Sequence, residues 1–191
     1  MSMNPKIIAL LAASAMAAGS MAAMPVVAKP MHTVMVGGAA MYPTKNIVQN
    51  AVNSRDHTTL VAAVKAAGLV DTLQSAGPFT VFAPTNAAFA KLPSGTVETL
   101  VKPENHDTLV KILTYHVVAG RVTAQDLAKK IKAGHGMARL TTVSGGTLTA
   151  KMMGKWIVLV DEKGGMAHVT QANVMQSNGV IHVTDAVSLP G

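Results

Sequence analysis

The chain has no cysteine, and this absence excludes several kinds of site at once. None of its 191 residues is Cys, so disulfides, thiolate nucleophiles and thiolate metal ligands are all excluded. A lipid attached to a cysteine after signal cleavage is excluded as well. The fold must therefore be held by its hydrophobic core, and a chain of this length is long enough for one ordinary domain with such a core.

Acidic and aromatic residues are also scarce. The chain has 9 Asp and Glu against 16 Lys and Arg, a net charge of +7, and only 3% of its residues are aromatic. An excess of positive charge favours binding to anionic surfaces. Nucleic acid is not an expected partner, because the aromatic residues are not interleaved with the basic ones as base stacking requires. Anionic glycans and lipid headgroups are better candidates.

One apolar run stands near the start of the chain, and no other run approaches the length of a membrane span. Lys6 is followed by "IIALLAASAMAA" and then by small residues, which is typical of a secretory signal peptide. A membrane span needs about 20 apolar residues, and this run is shorter. We predict a signal peptide over residues 1–22, cleaved near Ala22, although Val26 and Ala28 offer a second cleavage site. The protein is then secreted or periplasmic.

Residues 23–43 contain three prolines and a Gly-Gly pair and show no helical or strand period. This composition predicts a flexible arm or linker ahead of a folded domain over residues 44–190. Thioethers and imidazole are soft ligands that suit Cu(I), so copper binding by the arm is one alternative function. Methionine is also an ordinary gap filler, and no histidine pair in the chain has the spacing of a zinc site. The soft donors of the arm are Met24, Met31, His32, Met35 and Met41.

The remaining chain changes from helical to strand-like patterns. Up to about residue 133, apolar residues recur at helical spacing between short turns. After that point, runs alternate with a period of two and are separated by glycines. Helices concentrated before a strand-rich end predict an α+β domain, with an antiparallel meander in its last third.

Two local patterns predict structural residues. In "FTVFAPTNAAFAKLP", Pro84 ends a strand, and Thr85 or Asn86 caps the helix that follows. In "TAQDL", Thr123 and Asp126 have the spacing of a capping box.

"LTYHVV", residues 113–118, places an imidazole inside an apolar run. His116 shares a helical face with Ile112 and Leu113, which favours burial, while Tyr115 lies toward the flank. A buried neutral imidazole donates from one nitrogen and accepts at the other, so we expect His116 to tie the helix end to a backbone group of a neighbouring loop. Contact with a partner is the alternative. General-base catalysis is not expected, because no nucleophile or carboxylate partner lies nearby in sequence.

Three blocks of the sequence resemble the fasciclin domain family. They are "GPFTVFAPTNAAFAKLP" at 77–93, "LTYHVVAGRVTAQDL" at 113–127 and "NGVIHVTDAVSLP" at 178–190. The resemblance implies a β-wedge or sandwich of about seven strands flanked by several short helices. It also implies a secreted or surface-attached module for cell adhesion or matrix interaction, with no enzymatic activity and no cofactor. We expect Gly179 and Asp185, in the last block, to be structural.

The resemblance also assigns partner-binding residues. In animal members a tyrosine–histidine block surrounded by branched apolar residues is linked to integrin binding, and this block maps onto Tyr115 and His116. A second animal motif, an aspartate followed by an aliphatic residue, maps onto Asp126 and Leu127. The chain has the format of small bacterial members, where the same residues can persist for folding alone.

The densest positive charge, here called the basic segment, consists of Lys129, Lys130, Lys132 and Arg139. Such a run is commonly a solvated helix face. If it binds, an anionic glycan or lipid surface is its natural partner, and that binding weakens with salt. Enzyme signatures such as a nucleophile elbow, a phosphate-binding loop or a close carboxylate pair are absent. The leading prediction is thus a monomeric adhesion or surface-interaction module that binds a protein or glycan at a cell surface or matrix. An anionic-surface binding protein is the first alternative.

Overall fold

The computed structural model describes residues 33–191, and the predicted signal peptide lies outside this range. Short helices occupy the first two thirds of the described chain, as the helical patterns predict. Two 3-10 turns, Arg55–His57 and Pro103–Asn105, lead into the second and sixth helix. The α-helices are α1 (Ile47–Ala51), α2 (Thr58–Ala66), α3 (Val70–Gln74), α4 (Asn86–Ala90), α5 (Thr96–Leu100), α6 (His106–Tyr115) and α7 (Ala124–Ala133).

The strands form one large sheet and one hairpin. They are β1 (Val34–Val36), β2 (Ala39–Met41), β3 (Phe79–Pro84), β4 (Val117–Ala119), β5 (Met137–Thr141), β6 (Thr147–Met153), β7 (Trp156–Val160), β8 (Met166–Gln176) and β9 (Gly179–Thr184). The large sheet has seven strands in the order β4-β3-β9-β8-β7-β6-β5. The predicted α+β class and strand number are therefore confirmed.

The last five strands form the predicted meander. Each of β5 to β8 pairs antiparallel with the next strand along the chain. The glycine pairs at 145–146 and 164–165, together with Gly154, lie in the turns between the first four. Alternating residues and turn residues are sufficient to predict this part of the sheet from the sequence, because neighbouring strands are also neighbours in sequence.

One pairing in the sheet is parallel and joins distant parts of the chain. β3 runs parallel to β9, with Phe79 opposite Gly179 and Pro84 opposite Thr184. β4 pairs antiparallel with β3 on its other side. The sheet also curls, since Val118, in β4, forms an isolated bridge with Thr142 just after β5. The two edge strands of the sheet thus meet.

The prediction of a flexible arm is wrong for the described part of residues 23–43. β1 and β2 form an antiparallel hairpin, and Val36 and Met41 are buried in the hydrophobic core. The folded unit therefore includes residues before Thr44, where the sequence analysis placed its boundary. The hairpin strands have three residues each, too short for a period of two to be recognisable, and the nearby prolines and glycines favoured a linker.

Two clusters of apolar side chains form the core. The first lies between the early helices and the β3–β9 pair, and it includes Leu60, Leu113 and Ile181. The second lies between α7 and the meander, and it includes Leu127 and Leu148. α7 buries Leu127 and Ile131 and leaves its polar face outside, so the helix that carries most of the basic segment is fixed against β5 and β6.

Candidate functional site

His116 is buried at the end of α6 and hydrogen-bonds at both ring nitrogens. It is 3% exposed. The backbone N–H of Ser188 donates to Nε2 at 3.0 Å, so Nδ1 carries the proton and donates to the carbonyl oxygen of Ile112 at 2.8 Å. Burial lowers the pKa of His116 below 6.5, which outweighs the opposing effects of the Ile112 carbonyl and of Asp161. The neutral ring links the helix end to the loop that follows β9.

Tyr115 does not lie on an exposed flank. Its side chain is 0% exposed, and its hydroxyl donates to the carbonyl oxygen of Thr147 at 2.7 Å and accepts from the backbone N–H of Glu162 at 3.2 Å. Burial raises the pKa of Tyr115 to about 12, with a smaller opposing effect from the Glu162 backbone. The ring thus packs at the base of the β5–β6 and β7–β8 turns, and the folded protein does not present it to a partner.

Asp126 and Leu127 are both used by the fold. The predicted capping box is confirmed, because the hydroxyl of Thr123 accepts from the N–H of Asp126 at 3.2 Å while the Asp126 carboxylate accepts from the N–H of Thr123 at 3.0 Å. Hydrogen bonds from Thr123 lower the pKa of Asp126, and the charges of Lys129 and Lys130 act in the same direction. Leu127 is fully buried.

Pro84, Thr85 and Asn86 form the junction between β3 and α4. Pro84 is the last residue of the strand, and Thr85 caps the helix, accepting from the N–H of Ala88 at 3.2 Å. Asn86 instead connects α4 to the start of α2, since its side-chain oxygen accepts from the N–H of Thr59 at 3.0 Å. Of the two residues that the sequence offered as the cap, Thr85 has the role.

Gly179 and Asp185 lie at the two ends of β9. A Cβ atom on Gly179 would collide with the carbonyl oxygen of Phe79 in the neighbouring parallel strand, so only glycine allows this close approach. The Asp185 carboxylate accepts from the N–H of His168 at 2.7 Å and lies 3.7 Å from the Lys91 ammonium. Asp185 therefore connects β9 to β8 and to the end of α4.

The other buried histidines are also structural. His182 stacks on Phe82 and its Nε2 donates to the carbonyl oxygen of Val122 at 2.8 Å. His57 contacts the Ser54 hydroxyl at 2.8 Å through Nδ1, while Nε2 lies near the Ala83 carbonyl without a hydrogen bond of normal geometry. Burial lowers the pKa of both rings.

Residues 33–191 hold no group of three or more His, Cys, Asp or Glu side chains that could bind a metal ion. Of the soft donors proposed for copper, Met41 is buried in the core and Met35 is exposed on the other strand of the hairpin. Met24, Met31 and His32 lie outside the described residues. Within residues 33–191, no helix has the length and apolarity that a membrane crossing requires.

A cavity of about 70 Å³ lies in the first core cluster. Its walls are mostly aliphatic, and the polar side chains that border it are few, among them His57 and His116. The volume is far below the roughly 300–1,000 Å³ of pockets that bind small molecules. We assign no ligand to it.

Comparison with known proteins identifies the family. A family model described as "Fasciclin domain" matches residues 55–190, which is most of the chain. The chain belongs to the fasciclin domain family. "Protein sll1483" of Synechocystis is 48% identical over 158 residues, covering 83% of this chain and 81% of that protein. "Cell surface glycolipoprotein MPB83" of Mycobacterium bovis is 33% identical over 160 residues, covering 81% and 64% respectively.

The fold comparison agrees with the family. The solved structure of a FAS1 domain pair from the insect cell adhesion molecule Fasciclin I matches with a TM-score of 0.60 at 19% identity. The match covers 81% of this chain but 57% of that one, so the chain spans a little over half the length of the domain pair. The resemblance to fasciclin domains seen in the sequence is thus confirmed.

In this fasciclin domain the exposed positive charge is concentrated around α7, β5 and β6. Residues 127–160 contain no Asp or Glu and have a net charge of +6, out of +7 for the whole chain. We call the six cations of this range the basic face; all lie on the surface, and Lys151 is the least exposed of them. They are Lys129, Lys130, Lys132, Arg139, Lys151 and Lys155. Among the described residues, none of the six forms an ion pair within 4.0 Å.

Only the first four of these cations belong to the basic segment predicted from the sequence. Lys151 and Lys155 are separated from them by a whole hairpin, and the strand register is what brings Lys151 opposite Met137 at the start of β5. A signal was present in "KMMGKW", where the alternation of β6 breaks into two consecutive methionines before a glycine turn. Consecutive apolar residues beside a turn indicate side chains that the core does not cover.

Proposed function

We propose that this protein is a secreted, non-enzymatic surface-interaction module whose basic face binds an anionic surface. The observation that carries the proposal is the concentration of six cations, with no carboxylate among them, within residues 127–160. The names of two relatives are consistent with it, since one is a cell surface glycolipoprotein and the other a cell adhesion molecule. The family resemblance assigned partner contacts to Tyr115, His116 and Leu127, but their side chains are buried. We therefore assign partner binding to the basic face.

The distribution of exposed charge favours binding to a surface over binding in a single deep site. The lysines of α7 project into solvent from a helix whose other side is fixed to the sheet, so their charges are available together on the surface. A group of exposed positive charges attracts an extended anionic partner. The attraction acts only over short distances, because salt at physiological concentration screens it within about 8 to 10 Å. A glycan or a layer of lipid headgroups offers the required array of negative charge.

Secretion is part of the proposal and has its own test. We expect a signal peptide over residues 1–22 and a monomeric product that begins near Ala23. Intact-mass measurement of the exported protein checks the cleavage site, and light scattering checks the monomer. An exported protein that still begins at Met1 would contradict the signal peptide.

The test of the basic face compares two triple variants with equal change in net charge. In the first, Lys129, Lys130 and Lys132 become glutamine. In the second, the exposed Lys65, Lys102 and Lys163 become glutamine. Retention on heparin and on lipopolysaccharide beads is measured between about 50 mM and about 500 mM salt.

We expect the parent and the second variant to be retained at low salt and released as salt rises. The first variant elutes at clearly lower salt than either. Equal elution of the two variants would contradict a localised basic face, and no retention of the parent on either matrix would contradict the proposed function.

A further inference from the structure

An apolar surface lies beside the basic face at the β6–β7 turn. We call its four side chains the apolar tip: Met137, Met152, Met153 and Trp156. Each is between 42% and 50% exposed, whereas the other large apolar side chains of β5 to β7 are mostly in the core. Large apolar side chains grouped on a surface indicate an interaction site.

Strand register places the four side chains at one end of β5, β6 and β7. Met153 pairs with Trp156 across the β6–β7 turn. Met137, at the start of β5, pairs with Lys151, two residues before Met153 on the same side of β6. Met152 pairs with Ile157 on the other side, beyond the last buried position of the strand. The tip is thus the end of a three-stranded segment, and the core does not extend to it.

Part of the basic face borders this tip. Lys155 lies in the turn itself, with its ammonium 5.7 Å from the centre of the Trp156 ring, and Lys151 lies beside Met137. The C-terminal end of α7 joins the same end of the sheet, because the N–H of Met137 donates to the carbonyl oxygen of Gly134 at 3.2 Å. Cations and apolar side chains therefore reach the surface at one end of the molecule.

We infer that the apolar tip inserts into an anionic lipid bilayer while the basic face contacts the headgroups. The inference rests on the proposed function and names its partner. A glycan chain offers charge but no apolar layer for three methionines and a tryptophan. A lipid surface offers both, since tryptophan prefers the headgroup level and basic residues near anionic lipid contribute about 1 kcal/mol each.

Trp156 reports its own insertion, because it is the only tryptophan of the chain. The exported, processed protein is mixed with phosphatidylcholine vesicles, either pure or with about one third phosphatidylglycerol. We expect the Trp156 emission to shift to shorter wavelength and to be protected from iodide with the anionic vesicles only. Brominated acyl chains in those vesicles quench the same emission.

Matched variants separate insertion from charge. Met153→Ser is compared with Met166→Ser, a methionine of similar exposure at the opposite end of the meander, beside Val160. The Trp156→Ser variant is compared with the parent by vesicle co-sedimentation, and melting temperatures check that all variants fold. We expect the two tip variants to bind anionic vesicles about tenfold more weakly and Met166→Ser to bind like the parent.

The outcomes distinguish the two proposals. Unchanged emission, together with equal vesicle binding by the tip variants and the parent, overturns insertion; retention of the parent on heparin then leaves the proposed function standing. Saturable binding of the tip to a protein in place of vesicles also overturns the inference. Failure of the parent to bind heparin, lipopolysaccharide and anionic vesicles overturns both.

Discussion

At the scale of single residues, His116 connects two parts of the chain that are far apart in sequence. Its ring accepts a hydrogen bond from the N–H of Ser188 and donates one to the carbonyl oxygen of Ile112. In His116→Ala the buried N–H of Ser188 loses its acceptor and a cavity forms at the helix end. We expect the free energy of unfolding to fall by roughly 1 to 3 kcal/mol, measured by urea denaturation. The control His106→Ala removes an exposed imidazole, and equal losses in the two variants would contradict a structural role for His116.

Three buried histidines give the folded protein a defined sensitivity to acid. Burial holds the pKa of His57, His116 and His182 below 6.5, so below that pH the unfolded chain binds protons that the folded protein does not. The contribution of these three rings to the free energy of unfolding is therefore nearly constant only well above pH 6.5. Below it, stability falls by up to about 1.4 kcal/mol per pH unit for each histidine.

Urea midpoints at about pH 7.5, pH 6.5 and pH 5.5 measure this effect. We expect the midpoint to fall from each pH to the next, with a larger drop between about pH 6.5 and about pH 5.5 than between about pH 7.5 and about pH 6.5. His182→Gln should make the urea midpoint depend less on pH, because one of the three histidines no longer contributes. Midpoints that do not change down to about pH 5.5 would show that these rings are protonated equally in the folded and unfolded states.

The helical period placed His116 toward the core but misplaced Tyr115. A residue on the flank of a helix is exposed only where no other element covers that flank. Tyr115 is the last residue of α6, and there the turns around Thr147 and Glu162 close over it. Those contacts join residues more than thirty positions apart, which a pattern of three to four residues does not contain.

At the scale of elements, the capping box fixes the start of α7, on which half of the basic face is carried. Thr123→Ala removes the hydroxyl that accepts the N–H of Asp126. We expect a loss of about 1 kcal/mol in the free energy of unfolding. Thr108→Ala, an exposed threonine within α6, is the matched control and should change little. A Thr123 variant as stable as this control would show that the box does not hold the helix.

Helices with clear caps and strands joined by short glycine turns were predictable, since both are encoded in a few consecutive residues. The parallel pairing of β3 with β9 was not, because neither strand contains any sign of its partner. The basic face was predictable in part. Four of its cations are close in sequence, whereas only the strand register shows that Lys151 lies beside Met137.

At the scale of the whole molecule, the hairpin of β1 and β2 belongs to the domain although the family model begins at residue 55. It buries Val36 and Met41, and the backbone of Tyr42 satisfies the side chain of the buried Asn50 through hydrogen bonds of 3.0 and 2.8 Å. We expect a chain that begins at Thr44 to be less stable than one that begins at Ala23.

Each of the two buried side chains contributes roughly 1.5 to 3 kcal/mol. The loss should therefore appear as a large drop in the urea midpoint, with near-native circular dichroism at low urea. Identical midpoints for the two chains would mean that the hairpin packs on the domain without stabilising it.

We expect the parallel pair of β3 and β9 to form late in folding, because its strands are about one hundred residues apart in sequence. The first core cluster is complete only when Val174, Ile181 and Val183 from the last two strands reach the early helices and β3. The strands of the meander have partners that are close in sequence, and β3 has β4, but the parallel partner of β3 is made only with β9. During synthesis from the N-terminus, we therefore expect the first core cluster to stay incomplete until nearly the last residue has appeared.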